Sequence, residues 1–233
     1  MTFASKFEKI FKSILPSPFT IAILLTIVTF FLALVSTESS AIDIVTYWEK
    51  GIWNNSLLVF AFQMMLMLVL GHTLALTNPI NKLIHNVTKY CNNTSNAAAI
   101  ITFLTLLVSL FNWGLGLIFG AIFARKVGEH ATENNIKLNY PLIGAAGYSG
   151  LMIWHGGISG SSLVKISESG HLKDLAPEGV KGAVPELLDF SQTVFSTMNV
   201  AVTLTLLIAL PIAMYIIGKK TSVKIPEIVN EKQ

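Results

Sequence analysis

Charged residues are scarce in this chain, and their absence from long intervals is its most informative feature. Only 12% of the 233 residues are Asp, Glu, Lys or Arg, whereas 52% are hydrophobic. Five intervals carry no charge: residues 13–37, 51–81, 90–124, 138–164 and 190–218. A soluble domain needs charged faces along most of its helices, so this pattern excludes an ordinary soluble globule. A helix that crosses about 30 Å of hydrocarbon needs about 20 apolar residues, which these intervals contain.

Cysteine and metal-binding patterns are also scarce. The single cysteine, Cys91, excludes an intramolecular disulfide framework. The five histidines have no metal-ligand spacing, so we expect no metal centre and no cofactor. The net charge is +3, but the basic residues gather beside apolar segments rather than alternating with aromatic ones. We therefore expect membrane lipid, and not nucleic acid, as the surrounding partner.

The charge-free intervals predict an all-α integral membrane protein with about four to five transmembrane helices. Residues 18–218 form the membrane domain, between a basic amphipathic segment (1–17) and a polar cytoplasmic tail (219–233). The first apolar run follows three lysines, as in a signal peptide, but it exceeds a usual signal core, so we expect an uncleaved span. The predicted spans lie near residues 18–36, 57–77, 97–124, 141–161 and 194–217.

The third interval is longer than one crossing requires and is interrupted by the polar, glycine-containing stretch 112–116. This pattern predicts a broken helix or a re-entrant helical hairpin. Cytoplasmic loops carry the excess of Lys and Arg. If the segment doubles back, the loop with Arg125 and Lys126 shares the cytoplasmic side with the N-terminus and the C-terminal tail. A single crossing would place that loop on the wrong side, so the hairpin is favoured.

Two stretches, 112–116 and 154–162, combine glycines with polar residues inside apolar surroundings. Non-helical backbone at membrane depth survives only where it is buried in protein or lines a cavity. Freed helix N-termini attract anions, so together these stretches could hold one small carboxylate. Glycines four residues apart also fit close helix packing, and that alternative stays open. The candidate binding residues are Asn112, Gly114, Gly116, His155, Gly157, Ser159, Gly160 and Ser161.

His155 and His72 are the ionisable side chains placed well inside apolar runs. Such residues are functional candidates, although a histidine hydrogen-bonded to a neighbouring helix is equally compatible with the sequence. A coupling ion could be H+ or Na+; sodium held by carbonyls and hydroxyls would need no ionisable side chain. A membrane hydrolase using Ser161 with His155 as its base is the weakest alternative. We therefore expect a protein that is not an enzyme.

Five short segments are distinctive in their order and spacing: residues 15–19, 71–75, 112–117, 123–125 and 154–161. Together they resemble the bacterial short-chain fatty acid transporter family. The resemblance implies a carrier of small monocarboxylates, such as acetoacetate or butyrate, in the bacterial cytoplasmic membrane. It also implies that substrate lies between hairpin tips and unwound helices. One such element would contain Asn112, Gly114 and Gly116, and the other Gly157, Ser159, Gly160 and Ser161.

Members of that family are about twice as long, and the resemblance covers their N-terminal half. The expectation is therefore half of a full-length transporter, working as a homo-oligomer or with a separate C-terminal half. The alternative is a non-transporting membrane subunit that needs a partner chain.

Overall fold

The computed structural model describes residues 16–75, 77–159 and 161–226. The predicted N-terminal segment (1–17) lies outside this range except for Pro16 and Ser17. The described chain forms two units, divided after Phe62. We describe each unit separately.

The first unit begins with helix α1, Pro18–Ser36, followed by α2, Ala41–Ile52. Ser17 caps α1, since its hydroxyl accepts the Thr20 N–H at 3.2 Å. A capping box of Ser40 and Asp43 starts α2, a helix that lies between the first two predicted spans. Helix α3, Asn55–Ala75, begins in this unit and continues into the second.

The second unit contains the remaining elements. Its α-helices are α4 (Asn78–Thr88), α5 (Thr94–Phe111), α6 (Trp113–Glu133), α7 (Tyr140–Tyr148), α8 (Ser161–Lys165), α9 (His171–Leu175) and α10 (Thr197–Lys220). Short 3-10 helices cover Ser149–Met152, Trp154–Gly156 and Glu178–Ala183. A single antiparallel bridge joins Leu138 and Lys224, and no strand occurs among the described residues.

Among the described residues, four helices are long and apolar enough to cross a membrane. They are Pro18–Ser36, Leu57–Leu74, Thr94–Phe111 and Thr197–Lys220. This result confirms the predicted all-α membrane class.

Helices α5 and α6 form a hairpin with Asn112 at its tip. The backbone of Asn112 is extended, with φ −154° and ψ 122°, so the helix breaks there. Gly116 lies against Ser109, and Gly120 lies against Thr105, which shows that the two helices run antiparallel. The predicted interruption is therefore present as a helical hairpin. Its entry from one side of the membrane stays a prediction.

The chain from Asn139 to Ser159 runs beside α5 toward the tip of the α5–α6 hairpin. At its start the Asn139 N–H donates to Thr94 Oγ1 at 2.9 Å, and further along Gly150 lies against Ser109. The predicted span near 141–161 is not a continuous α-helix, because α7 ends at Tyr148 and 3-10 turns follow. Nine α-helical residues extend only about 13 Å. Glycines at every third position, from Gly144 to Gly150, explain the weak helix.

Helix α10 runs antiparallel to α5 and brings the chain back to the start of that helix. Near its C-terminal end Gly218 packs on the backbone of Ser95. The following residues bond to the end of α6 and the loop after it: Leu138 and Lys224 exchange two backbone hydrogen bonds, and the Thr132 hydroxyl donates to the Pro226 carbonyl at 2.8 Å. The described part of the predicted polar tail is therefore attached to the helix bundle.

Candidate functional site at the hairpin tip

Asn112 ends α5 and starts α6. Its backbone N–H donates to the Val108 carbonyl at 3.0 Å, and its Oδ1 accepts the Leu115 N–H at 2.9 Å. These bonds leave the Asn112 Nδ2 group and the Gly114 N–H without an acceptor among the described residues. Both unused donors lie at the N-terminus of a 21-residue helix, where the backbone dipoles favour an anion.

The second predicted stretch is hydrogen-bonded directly to this tip. The Trp113 N–H donates to Ser159 Oγ at 3.1 Å, and the Ile158 N–H donates to the Leu110 carbonyl at 2.8 Å. Gly157 packs so closely on Leu110 that a Cβ at position 157 would collide with the Leu110 carbonyl. The structure therefore brings Asn112, Gly157 and Ser159 together, as the sequence analysis predicted.

The other predicted residues have different surroundings. Gly114 lies against the Met67 side chain, and Gly116 lies against Ser109, so both serve close packing. Gly160 lies outside the described residues, and Ser161 begins α8 without a described side chain.

Both predicted histidines are exposed in the structure. The His155 ring stacks on Trp154 with 3.9 Å between ring centroids, and Trp154 lies 5.6 Å from Trp113. His155 has no hydrogen-bond partner in the part of the chain that is described, so the structure does not show it bonded to a neighbouring helix. His72 is exposed near the end of α3.

Asn199 on α10 holds the segment beside the tip, a role that the sequence analysis missed. Its Nδ2 donates to the Gly156 carbonyl at 2.9 Å and to the Val194 carbonyl at 2.7 Å. The available signal was weak: one amide in the first turn of an otherwise apolar span.

Replacing Asn199 with alanine should lower the stability of the protein. The change removes two hydrogen bonds, a loss of about 2 kcal/mol. In a protein of this size that corresponds to a melting temperature about 4–8 °C lower. Thermal unfolding of the detergent-purified protein measures the effect. Thr205→Val is the matched control, because the Thr205 hydroxyl bonds only within α10, to the Ala201 carbonyl; equal melting temperatures for the two variants would contradict the assigned role.

A cavity of about 240 Å³ lies beside the tip. Its walls come from the end of α5, residues 156–158, residues 194–195 and the first turns of α10. The lining is almost wholly apolar, with Asn199 and Thr203 as its polar side chains. The lining residues are Leu107, Leu110, Phe111, Gly156, Gly157, Ile158, Val194, Phe195, Asn199, Val200, Thr203 and Leu204.

Three buried hydroxyls on α5 form a row that approaches the tip. Thr102, Thr105 and Ser109 are at most 1% exposed, and their side-chain oxygens have no hydrogen-bond partner among the described residues. The spacing of three and four residues places them on one face of α5. Ser109 on that face lies between Gly116 and Gly150. The sequence analysis did not select these residues, although their spacing was visible.

Basic residues lie at the opposite end of the hairpin from the tip. On α6, Arg125 Nε and Lys126 Nζ both bond Glu129, at 3.0 and 2.9 Å. No charged side chain lines the cavity beside the tip within the described ranges. An anion at the tip would therefore depend on neutral donors and the helix N-terminus.

Comparison with known proteins identifies the family of the chain. Residues 2–231 match the family model described as "Short chain fatty acid transporter". The chain belongs to the short chain fatty acid transporter family. This membership confirms the resemblance seen in the sequence.

Two curated relatives carry the provisional name of short-chain fatty acid transporter. One, from Haemophilus influenzae, is 33% identical over 225 residues, which cover 94% of this chain and 46% of the relative. The other, from Escherichia coli, is 34% identical over 197 residues, covering 84% of this chain and 42% of the relative. The chain thus spans about half the length of the curated relatives it matches. No solved structure matches it significantly.

Proposed function

We propose that this chain binds short-chain monocarboxylates, such as butyrate or acetoacetate, and takes part in carrying them across the bacterial cytoplasmic membrane. The observation that carries the proposal is the hydrogen-bonded junction between the tip of the α5–α6 hairpin and residues 157–159. Unused donors remain at this junction, and a small apolar cavity adjoins it. Family membership and the names of the relatives support the same substrate class.

The donors suit a single carboxylate. Asn112 Nδ2, the Gly114 N–H and the Ser159 hydroxyl proton have no acceptor among the described residues. Neutral donors at a helix N-terminus can hold one negative charge without a counterion. A second carboxylate on the same small molecule would enter the apolar cavity unpaired, which is strongly unfavourable. The arrangement therefore favours monocarboxylates over dicarboxylates.

The depth of the tip supports a site inside the membrane. Twelve helical residues, about 18 Å, separate Trp113 from Arg125 along α6. If Arg125 lies at the cytoplasmic boundary, the tip falls within the hydrocarbon, which is about 30 Å thick. The hairpin is then re-entrant from the cytoplasmic side, and the N-terminus is cytoplasmic by the same charge rule.

The half-length match to the relatives favours a second candidate function, a subunit that binds substrate but needs a partner chain to move it. The cavity is bordered by exposed aromatic side chains, Phe111 at 72% and Phe195 at 62%. A second copy of this chain or a separate C-terminal half would cover them. The coupling ion, Na+ or H+, belongs to the same proposal.

Equilibrium binding of labelled butyrate to the purified chain tests the proposal. We expect saturable binding that acetoacetate displaces and that butyramide, the uncharged analogue, does not. Succinate should also fail to displace butyrate, because of its second charge. Folded protein that shows no saturable butyrate binding would contradict the proposal.

Uptake into liposomes under imposed sodium or proton gradients then separates the two candidates. Saturable uptake identifies a carrier and its coupling ion. Binding without uptake identifies the subunit.

A further inference from the structure

We propose that the 240 Å³ cavity beside the tip holds the alkyl chain of the bound acid and that Val200 and Leu204 limit its length. This inference rests on the proposed function, because it assumes that the carboxylate is bound at the tip. It assigns the selectivity for short acids to side chains of α10.

The cavity adjoins the carboxylate donors on both chain segments. Leu110 and Phe111 line it and directly precede Asn112. Gly157 and Ile158 line it and directly precede Ser159. A molecule whose carboxylate lies against Asn112 and Ser159 can therefore place its next carbon atoms in the cavity.

Several hydrogen-bond donors of the lining residues are already occupied, so the cavity is better suited to an alkyl chain than to the carboxylate. The Gly157 N–H donates to Trp154 at 3.0 Å, and the Ile158 N–H donates to Leu110 at 2.8 Å. Both protons of the Asn199 amide are also used. Among the described lining side chains, this leaves the Thr203 hydroxyl as the donor without an acceptor. One hydroxyl cannot replace the water around a carboxylate.

The size and fixed walls of the cavity imply an upper limit on chain length. A volume of about 240 Å³ is below the usual range of ligand pockets, about 300–1,000 Å³. One wall is fixed by Gly157 against the Leu110 backbone, and another by Asn199 bonded to Gly156. Val200 and Leu204 are the apolar lining residues on α10, and we assign the limit on chain length to them.

Competition by a series of acids tests this assignment. Acetate, butyrate, hexanoate and octanoate are titrated against labelled butyrate on the full chain, in the wild type and two variants. Each additional buried methylene strengthens binding about fourfold. Leu204→Ala should therefore improve hexanoate relative to butyrate by about fifteenfold, because two more methylenes are buried. Val200→Phe should weaken hexanoate relative to acetate.

Ile208→Ala is the matched control for Leu204→Ala. Ile208 lies one turn further along α10 and does not line the cavity. The two side chains are similarly exposed, Ile208 at 62% and Leu204 at 54%. Because both side chains are so exposed, neither truncation should unfold the protein, so Leu204→Ala is decisive even if Val200→Phe folds poorly. An unchanged hexanoate-to-butyrate ratio in Leu204→Ala, with normal butyrate binding by the wild type, overturns the inference and leaves the proposed function intact. Absence of butyrate binding by the folded wild type overturns both.

Discussion

Replacing Gly147 with alanine is expected to destabilise the protein strongly, whereas the same change at Gly144 should not. A Cβ at position 147 would lie 2.5 Å from the Gly120 carbonyl oxygen, where α7 crosses α6 backbone to backbone. Backbone cannot rotate away as a side chain can, so the helices must separate. Overpacking of this kind lowers the free energy of unfolding by about 1–3 kcal/mol or more. Thermal unfolding in detergent measures the loss.

Gly144→Ala provides the internal control because Gly144 lies on the same helix, and no neighbouring atom lies within 4 Å of the place that an alanine Cβ would occupy. Alanine there should raise stability by about 0.5–1 kcal/mol, since glycine disfavours a helix interior. Equal unfolding temperatures for Gly147→Ala and Gly144→Ala would contradict the close crossing of α6 and α7.

Replacing Ser159 with alanine is expected to weaken butyrate binding at least tenfold. The hydroxyl accepts the Trp113 N–H at 3.1 Å and so joins the two halves of the site, and its own proton is free for the carboxylate. A hydrogen bond to a charged group contributes about 1.5–3 kcal/mol, which corresponds to about 10- to 150-fold in affinity. Equilibrium binding of labelled butyrate measures the loss, and Ser159→Thr, which keeps the hydroxyl, should retain most of the affinity.

Ser162→Ala is the matched control because Ser162 is exposed, three residues away, and forms no side-chain hydrogen bond with the described residues. It should bind butyrate like the wild type. Wild-type affinity in Ser159→Ala would show that the junction does not contribute to binding.

Four apolar helices were predictable because the free-energy penalty of charge in hydrocarbon acts on each residue locally, whereas the predicted span near 141–161 was wrong because its α-helix ends at Tyr148. The helix break at Asn112 was also predictable, because an amide side chain and two nearby glycines interrupt an apolar run there. Loop charges also predicted that the chain doubles back after this break, and the structure shows α5 and α6 antiparallel.

Other features depended on contacts between distant residues and could not be predicted. Asn199 reaches Gly156 across 43 residues, and Thr132 reaches Pro226 across 94. Nothing near those positions in the sequence specifies these partners. Helix α2 was different, since its capping residues, Ser40 and Asp43, gave a local signal that the sequence analysis overlooked.

The close-packing interpretation of the glycines applies at two positions that adjoin the candidate site. Gly116 and Gly157 allow close backbone packing, and this packing brings Asn112 and Ser159 to one place. Close packing therefore positions the candidate site.

Protection of a single introduced cysteine by butyrate tests most directly whether the monocarboxylate binds beside the tip. The variant is Ile158→Cys, at a 53% exposed side chain that lines the cavity. The native Cys91 interferes little, because it is fully buried and burial raises the pKa of its thiol to about 12. Leu175→Cys, at a 71% exposed position outside the cavity lining, is the control.

We expect butyrate to slow maleimide labelling of Ile158→Cys and to leave labelling of Leu175→Cys unchanged. Butyramide should slow neither reaction. Labelling of Ile158→Cys at the same rate with and without saturating butyrate would contradict a site at the hairpin tip.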